Sequence, residues 1–223
     1  MLEKNLRKIF DYIDGGNDRG EKITLVGATK TVDVDTINKA ISLGLKVVAE
    51  NKVNEFREKT ALIKGAEQHF IGHLQTNKVK YIVGKVALIH SVDSIRLAEE
   101  IDCFALKHGV VQDILIEINV GEEETKSGFL PSLAESAIDE IRKLKNVRVK
   151  GLMAMFPFGS DEDTLVSLCK KMRALYDKKN EEGCGFTVLS MGMTEDYKIA
   201  VKNGSNTIRI GSGIFGKRNY EVK

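Results

Sequence analysis

Lys30 has the most chemical potential of any residue in this chain. It ends the apolar run Ile23-Thr24-Leu25-Val26-Gly27-Ala28-Thr29, and the polar stretch Thr31-Val32-Asp33-Val34-Asp35 follows it. That pattern places one ammonium at the carboxyl end of a core strand. Burial there disfavours the charged form and lowers the lysine pKa. A neutral amine so placed can condense with a carbonyl to form a Schiff base. The same position also suits a lysine that only reaches out to water along its stem.

Two glycine-containing turns come late in the chain. One is Leu189-Ser190-Met191-Gly192-Met193-Thr194-Glu195-Asp196, and the other is Ile208-Arg209-Ile210-Gly211-Ser212-Gly213-Ile214-Phe215-Gly216. Glycine lets a backbone approach an anion closely, and N–H groups or a helix N-terminus can then bind it. Thr194 is expected to cap the next helix, with Glu195 and Asp196 in its first turn. Arg209 falls inside a strand pattern, where a guanidinium needs an acceptor. A carboxylate, a ligand ring nitrogen and a phosphate all qualify. His69 and His73 are four apart, which on a strand is roughly 13 Å, too far for one metal ion. His73 falls near a strand exit, where its ring suits contact with a flat ligand or simple exposure to solvent.

These residues need a scaffold, and the chain supplies a regular one. Strand patterns are expected at 23–29, 46–50, 69–72, 86–92, 110–120, 147–156, 186–191 and 207–210. Helix patterns are expected at 2–13, 35–43, 53–63, 76–82, 94–107, 130–144, 161–180 and 195–203. Runs such as Val86-Ala87-Leu88-Ile89 and Ile114-Leu115-Ile116 fit parallel strands buried on both faces. Eight alternations in 223 residues predict a (β/α)8 TIM barrel with an extra N-terminal helix, in one domain spanning residues 1–223. An open doubly wound sheet lacks support, because no GxGxxG follows the first strand.

A barrel carries its site at the carboxyl ends of its strands, and phosphate sites form after strands seven and eight. Lys30, the Glu50-Asn51 pair, Gly72-His73, Asn119, Met153 to Phe156, Ser190 to Thr194 and Arg209 to Ser212 are expected at that mouth. An amine, a phosphate cradle and an arginine together imply a phosphorylated aldehyde as ligand. Pyridoxal 5′-phosphate is the most economical choice, with Lys30 as the aldimine lysine.

Composition narrows the classes. Hydrophobic residues make up 42% and charged residues 30%, and the formal net charge is +2. No block of like charge points to nucleic acid or a membrane surface. No apolar stretch is long enough to span a bilayer, and no secretory signal pattern opens the chain. Cys103, Cys169 and Cys184 form no CxxC pair and no zinc pattern, which fits the cytoplasm. No metal is expected.

Nine segments carry a resemblance. They are Val26-Gly27-Ala28-Thr29-Lys30-Thr31, Ala49 to Glu55, Phe70 to Lys78, Ser91-Val92-Asp93-Ser94, Glu117 to Val120, Lys126 to Phe129, Gly151 to Met155, Leu189 to Asp196 and Arg209 to Gly216. In this order the chain resembles the pyridoxal-phosphate homeostasis proteins, single-domain relatives of the alanine racemase barrel domain. The resemblance implies that Lys30 forms the aldimine and that Arg209 faces the pyridine nitrogen. It implies that Ser190, Gly192, Met193, Thr194, Gly211 and Ser212 lie around the phosphate, with Asn51 and His73 near the ring. Thr194 stands where serine is usual, Ser212 where threonine is common and Thr29 where serine is frequent. The hydroxyls are kept.

Racemization needs a base on each face of the α-carbon. In the racemases that this chain resembles, the second base is a tyrosine from another domain of a partner subunit. The chain ends soon after its eighth strand, so no such domain is expected, and none of Tyr12, Tyr81, Tyr176, Tyr197 or Tyr220 is placed opposite Lys30. An arginine beside the pyridine nitrogen weakens the cofactor as a carbanion sink. The expectation is therefore a non-catalytic protein of vitamin B6 homeostasis. It would act as a monomer, with a dimer as the alternative, and PLP-dependent apoenzymes would be its recipients. The competing readings are a PLP-dependent racemase, a Schiff-base aldolase on a phosphorylated substrate, and a ligand-free scaffold.

Overall fold

The computed structural model describes residues 1–216. Eight parallel strands close into a barrel, each pairing with the next in sequence and the eighth with the first. They are β1 (Thr24–Ala28), β2 (Val47–Glu50), β3 (Glu67–Phe70), β4 (Leu88–Val92), β5 (Gln112–Ile118), β6 (Val147–Ala154), β7 (Val188–Ser190) and β8 (Thr207–Ile210). This is the TIM barrel that the alternation predicts. The α-helices are α1 (Leu2–Ile13), α2 (Val34–Ser42), α3 (Val53–Lys59), α4 (Ile95–Lys107), α5 (Pro131–Ile141), α6 (Glu162–Glu181), α7 (Tyr197–Lys202) and α8 (Ser212–Phe215).

Local chemistry explains where the helices begin. Asp33 accepts from the Thr36 N–H at 2.8 Å and Asp161 from the Thr164 N–H at 2.7 Å, so each satisfies an orphan donor of the first turn. Ser94 does the same for Leu97, and Pro131 takes the first position of α5, where no N–H is needed. In α1, Leu6, Ile9 and Ile13 share one buried face at helical spacing.

Beyond shortened ends, such as α3 stopping at Lys59 and β7 spanning only Val188–Ser190, three elements differ from the sequence expectation. Residues 76–81 form a 3-10 helix and not an α-helix. β3 starts two residues early and stops at Phe70, which leaves Gly72 and His73 in the exit loop. α8, a single turn after β8, begins at Ser212 inside the Gly211-Ser212-Gly213 segment, which carries no helical periodicity.

Strand alternation divides the core. Val26, Val47, Ala49 and Ile71 pack together inside the barrel on one side, and Leu88, Leu115 and Met153 on the other. The alternate positions pack outward beneath the helices in two larger clusters. Between the two interior groups lies a polar layer of His69, His90, Ser190 and Arg209, all buried. Among the described residues no helix is long and apolar enough to cross a membrane.

Candidate functional site

Lys30 leaves β1 two residues after its end, and its neighbours on both sides are tied to α3. Lys59 Nζ donates to the Thr29 carbonyl at 3.0 Å, to Glu50 Oε1 at 2.9 Å and to Glu55 Oε2 at 2.8 Å. Glu55 also accepts the Thr31 N–H at 2.7 Å. The Thr29 hydroxyl donates to Glu50 Oε1 at 2.6 Å. Thr31 is held at φ 65°, a left-handed conformation that costs a non-glycine residue about 1–3 kcal/mol. The Glu50–Lys59–Glu55 cluster therefore fixes the direction in which the chain leaves the strand at Lys30.

A cavity of about 730 Å³ opens at the carboxyl ends of the strands. That size is in the range of cofactor sites. Lys30, Asn51, Met193, Thr194, Arg209, Gly211 and Ser212 all line it, so the structure brings seven of the ten expected residues together. Lys126 and the loop Pro157-Phe158-Gly159-Ser160 form other parts of its wall. Asn51 Oδ1 is buried with no hydrogen-bond partner among the described residues. Gly72 makes this placement of Asn51 attainable, since a Cβ there would stand 1.9 Å from the Asn51 carbonyl oxygen.

The two late turns meet in space. Thr194 Oγ1 lies 3.2 Å from Ser212 Oγ and accepts the Gly213 N–H at 3.1 Å. Thr194 is therefore not the cap expected from the sequence. α7 begins at Tyr197, and Asp196 closes the preceding turn by accepting the Met193 N–H at 2.5 Å. The Asp196 and Tyr197 N–H groups that a Thr194 cap would serve both donate to the Met193 carbonyl, at 3.2 and 2.9 Å, and the Thr194 hydroxyl faces the other turn instead. The Thr194 and Glu195 N–H groups make no hydrogen bond among the described residues.

Arg209 is buried but takes neutral acceptors. Nη1 donates to the Ser190 carbonyl at 2.8 Å and to Ser190 Oγ at 2.6 Å, and Nη2 donates to the Ala154 carbonyl at 2.8 Å. Burial pulls its pKa down to about 10, against the opposing pull of Glu117 and Asp196.

The fold agrees with the comparisons. The family model for the alanine racemase N-terminal domain matches residues 2–219. A pyridoxal phosphate homeostasis protein of Aquifex aeolicus is 44% identical over 206 residues, covering 91% of this chain and 90% of that one. The human pyridoxal phosphate homeostasis protein is 33% identical over 222 residues, covering 89% of this chain and 78% of that one. The chain belongs to the pyridoxal phosphate homeostasis protein family. Among solved structures, PipY of Synechococcus elongatus PCC7942 with PLP bound superposes with a TM-score of 0.86 at 26% identity, covering 97% of this chain and all of that one.

Three of the expected residues of this homeostasis-family barrel do not line the cavity. Ser190 lies beneath it, and its hydroxyl is engaged by Arg209 and His90. Gly192, at φ 94°, serves close packing, because a Cβ would meet Ala200 Cβ and Tyr197 Cα at 2.8 Å. His73 is exposed and paired with Asp93 at 2.9 Å. Strand parity could have separated these roles, since Ser190 is an interior strand residue and His73 follows the strand end.

Sequence reasoning missed Glu117. It points inward from β5 in an otherwise apolar run and is 3% exposed. Burial pushes its carboxyl up to about 7, Asp93 adds to the rise, and Arg209 and His73 oppose it. The signal was a lone carboxylate in Ile114-Leu115-Ile116-Glu117-Ile118. Between about pH 4.5 and 7 the folded chain holds a proton at Glu117 that the unfolded chain has released. Stability should therefore fall as pH rises through that window, by on the order of 3 kcal/mol at this site. Glu117→Gln should flatten this part of the profile, measured as Tm from about pH 5 to about pH 8. An unchanged slope would remove Glu117 as its source.

Proposed function

We propose that this protein binds pyridoxal 5′-phosphate at the barrel mouth, holds it covalently through Lys30, and serves intracellular vitamin B6 homeostasis without substantial amino-acid racemase activity. The observation that carries the reading is one cavity lined together by Lys30, Arg209, Asn51 and the paired hydroxyls of Thr194 and Ser212. Family membership points to the same ligand, and the PLP-bound PipY structure supports it.

The residues fit the cofactor group by group. Condensation of the Lys30 amine with the aldehyde releases water and leaves a reducible C=N bond. Thr194, Ser212 and the N–H groups of Thr194 and Glu195 supply donors for a phosphate. Met193 and Gly211 complete that part of the wall. Arg209 addresses the pyridine nitrogen and, as a cation there, disfavours its protonation. The unpartnered Asn51 Oδ1 is an acceptor for a donor on the ring side of the cavity. Ser190 and Gly192 support the site from beneath, and His73 stands outside the cavity wall. When bound, the cofactor supplies an electrophilic carbonyl carbon for exchange with an incoming amine.

The absence of turnover rests on two supports. Among the described residues no tyrosine lines the cavity, and Tyr220 lies outside them. Arg209 also keeps the ring a weak electron sink. In this reading the chain acts as one barrel domain in the cytoplasm, as a monomer, and passes the cofactor to PLP-dependent apoenzymes. The cavity opens beside the fully exposed Phe158, which suits exchange with solvent or a recipient.

Titration with PLP should produce the absorption band of a lysine Schiff base, and borohydride should remove it. A protein that stays colourless at saturating PLP would overturn the reading. With alanine in heavy water, α-carbon exchange with inversion should stay at a trace level, since one missing acid–base group alone costs about 10²–10⁴-fold. Inversion at rates of dedicated racemases would establish the enzyme reading instead.

A further inference from the structure

The polar layer inside the barrel forms one continuous chain of hydrogen bonds. It starts at the barrel floor with Glu67, whose side chain is 56% exposed, and ends at Arg209 in the cavity wall. Glu67 Oε1 lies 2.6 Å from His69 Nε2, and His69 Nδ1 lies 3.0 Å from His90 Nε2. His90 Nδ1 lies 3.2 Å from Ser190 Oγ, which accepts from Arg209 Nη1 at 2.6 Å. Residues from β3, β4, β7 and β8 take part, so the chain crosses the whole interior.

The carboxylate end sets the direction of the bonds, and the guanidinium end is compatible with it. A guanidinium can only donate, and an ionised carboxylate can only accept. The bond from His69 holds the Glu67 carboxyl below its usual range. Burial, with His69 and Arg209 nearby, pushes His90 well below the usual imidazole range, so His90 is neutral. A neutral His69 donates from Nε2 to the Glu67 carboxylate and accepts at Nδ1, whereas a doubly protonated ring would donate from both nitrogens and reverse its bond to His90. With His69 neutral, His90 likewise donates from Nε2 and accepts at Nδ1, which commits the Ser190 proton to His90. The Ser190 lone pairs remain turned to Arg209. The other charged groups that act on Arg209 are Glu117 and Asp196, from different elements.

We propose that Glu67, His69, His90 and Ser190 are positioning residues for Arg209: they form a single directional hydrogen-bond chain through which a carboxylate at the barrel floor sets the orientation of the guanidinium at the mouth. Its consequence for the ligand rests on the reading of Arg209 as the group beside the pyridine nitrogen. Hydrogen bonds in such a chain polarise one another, so a change at one end is felt at the other.

The test uses Glu67, because its exposed side chain can be replaced without opening a core cavity. In cofactor-free protein labelled with ¹⁵N-histidine, His69 and His90 should both carry their proton on Nε2 and accept at Nδ1. Glu67→Leu should mix the tautomers at both rings, and Glu67→Gln, which keeps an acceptor, should restore them. Thermal unfolding checks that both variants fold. A His90 protonated on Nδ1, or tautomers unmoved by Glu67→Leu, would overturn the chain. With PLP added, Glu67→Leu should weaken binding about three- to ten-fold, the value of one ordinary hydrogen bond, and Glu67→Gln should stay within about two-fold of wild type. Equal PLP affinity in all three proteins would overturn the link to Arg209. Failure of wild-type protein to bind PLP would overturn the cofactor reading, while the tautomer result still decides the chain.

Discussion

Lys30→Ala is expected to abolish the borohydride-reducible adduct with PLP and to leave the barrel folded. The covalent bond needs a primary amine within the cavity, and Lys30 lines both that cavity and a smaller neighbouring one of about 330 Å³. The Thr29 carbonyl is held by Lys59 and the Thr31 N–H by Glu55, and neither bond is lost with the Lys30 amine. Lys30 is also only half-buried, so truncation should leave little void. The measurement is intact mass after borohydride reduction, with thermal unfolding as the check on folding. Lys126 is the second lysine in the wall, donating to the Phe156 carbonyl at 3.1 Å. An adduct that persists in Lys30→Ala and maps to Lys126 would move the Schiff base there.

Pyridoxal without its phosphate should bind at least about 100-fold more weakly than PLP, and sulfate should compete with PLP. Charge-assisted hydrogen bonds contribute roughly 1.5–3 kcal/mol each, so even two of them reach that figure. The donors are the hydroxyls of Thr194 and Ser212, 3.2 Å apart, and the N–H groups of Thr194 and Glu195. Glu195 and Asp196 also line the cavity and oppose an anion. Burial pushes the Asp196 carboxyl up from its ordinary range, and its Oδ1 already takes the Met193 N–H. Isothermal titration with the two ligands measures the difference. Equal affinities would remove the phosphate role from both turns. Thr194→Val should account for part of the loss, because it also removes the acceptor that joins Gly213 to the first turn.

The barrel was legible because its causes are local. β8 falls at 207–210 as the apolar pattern places it, and α1 at 2–13 follows the spacing of Leu6, Ile9 and Ile13. Lys30 at the end of β1, Arg209 within β8 and the two late glycine turns are properties of short windows. A period of two or of 3.6 residues is enough to put them on the mouth side of a barrel. The elements that departed from expectation depend on competition between neighbours. The 3-10 turn at 76–81 and the Asp196 position before α7 each follow from which donor or acceptor is reached first, a choice that propensity does not resolve.

The amino-acid sequence by itself determined the eight-fold alternation, the strand-end lysine, the buried arginine and the family resemblance. Tertiary structure alone decided the partners. Thr194 meets Ser212 across 18 residues, Arg209 meets the Ala154 carbonyl across 55, and His90 meets Ser190 across 100. It also decided that Ser190 lies beneath the cavity, that His73 stands outside it, and that Glu117 is held near neutrality. The physical reason is closure of the sheet. Closure brings distant strands into one low-dielectric interior, where burial and the charges of other strands set each group's hydrogen bonds and protonation.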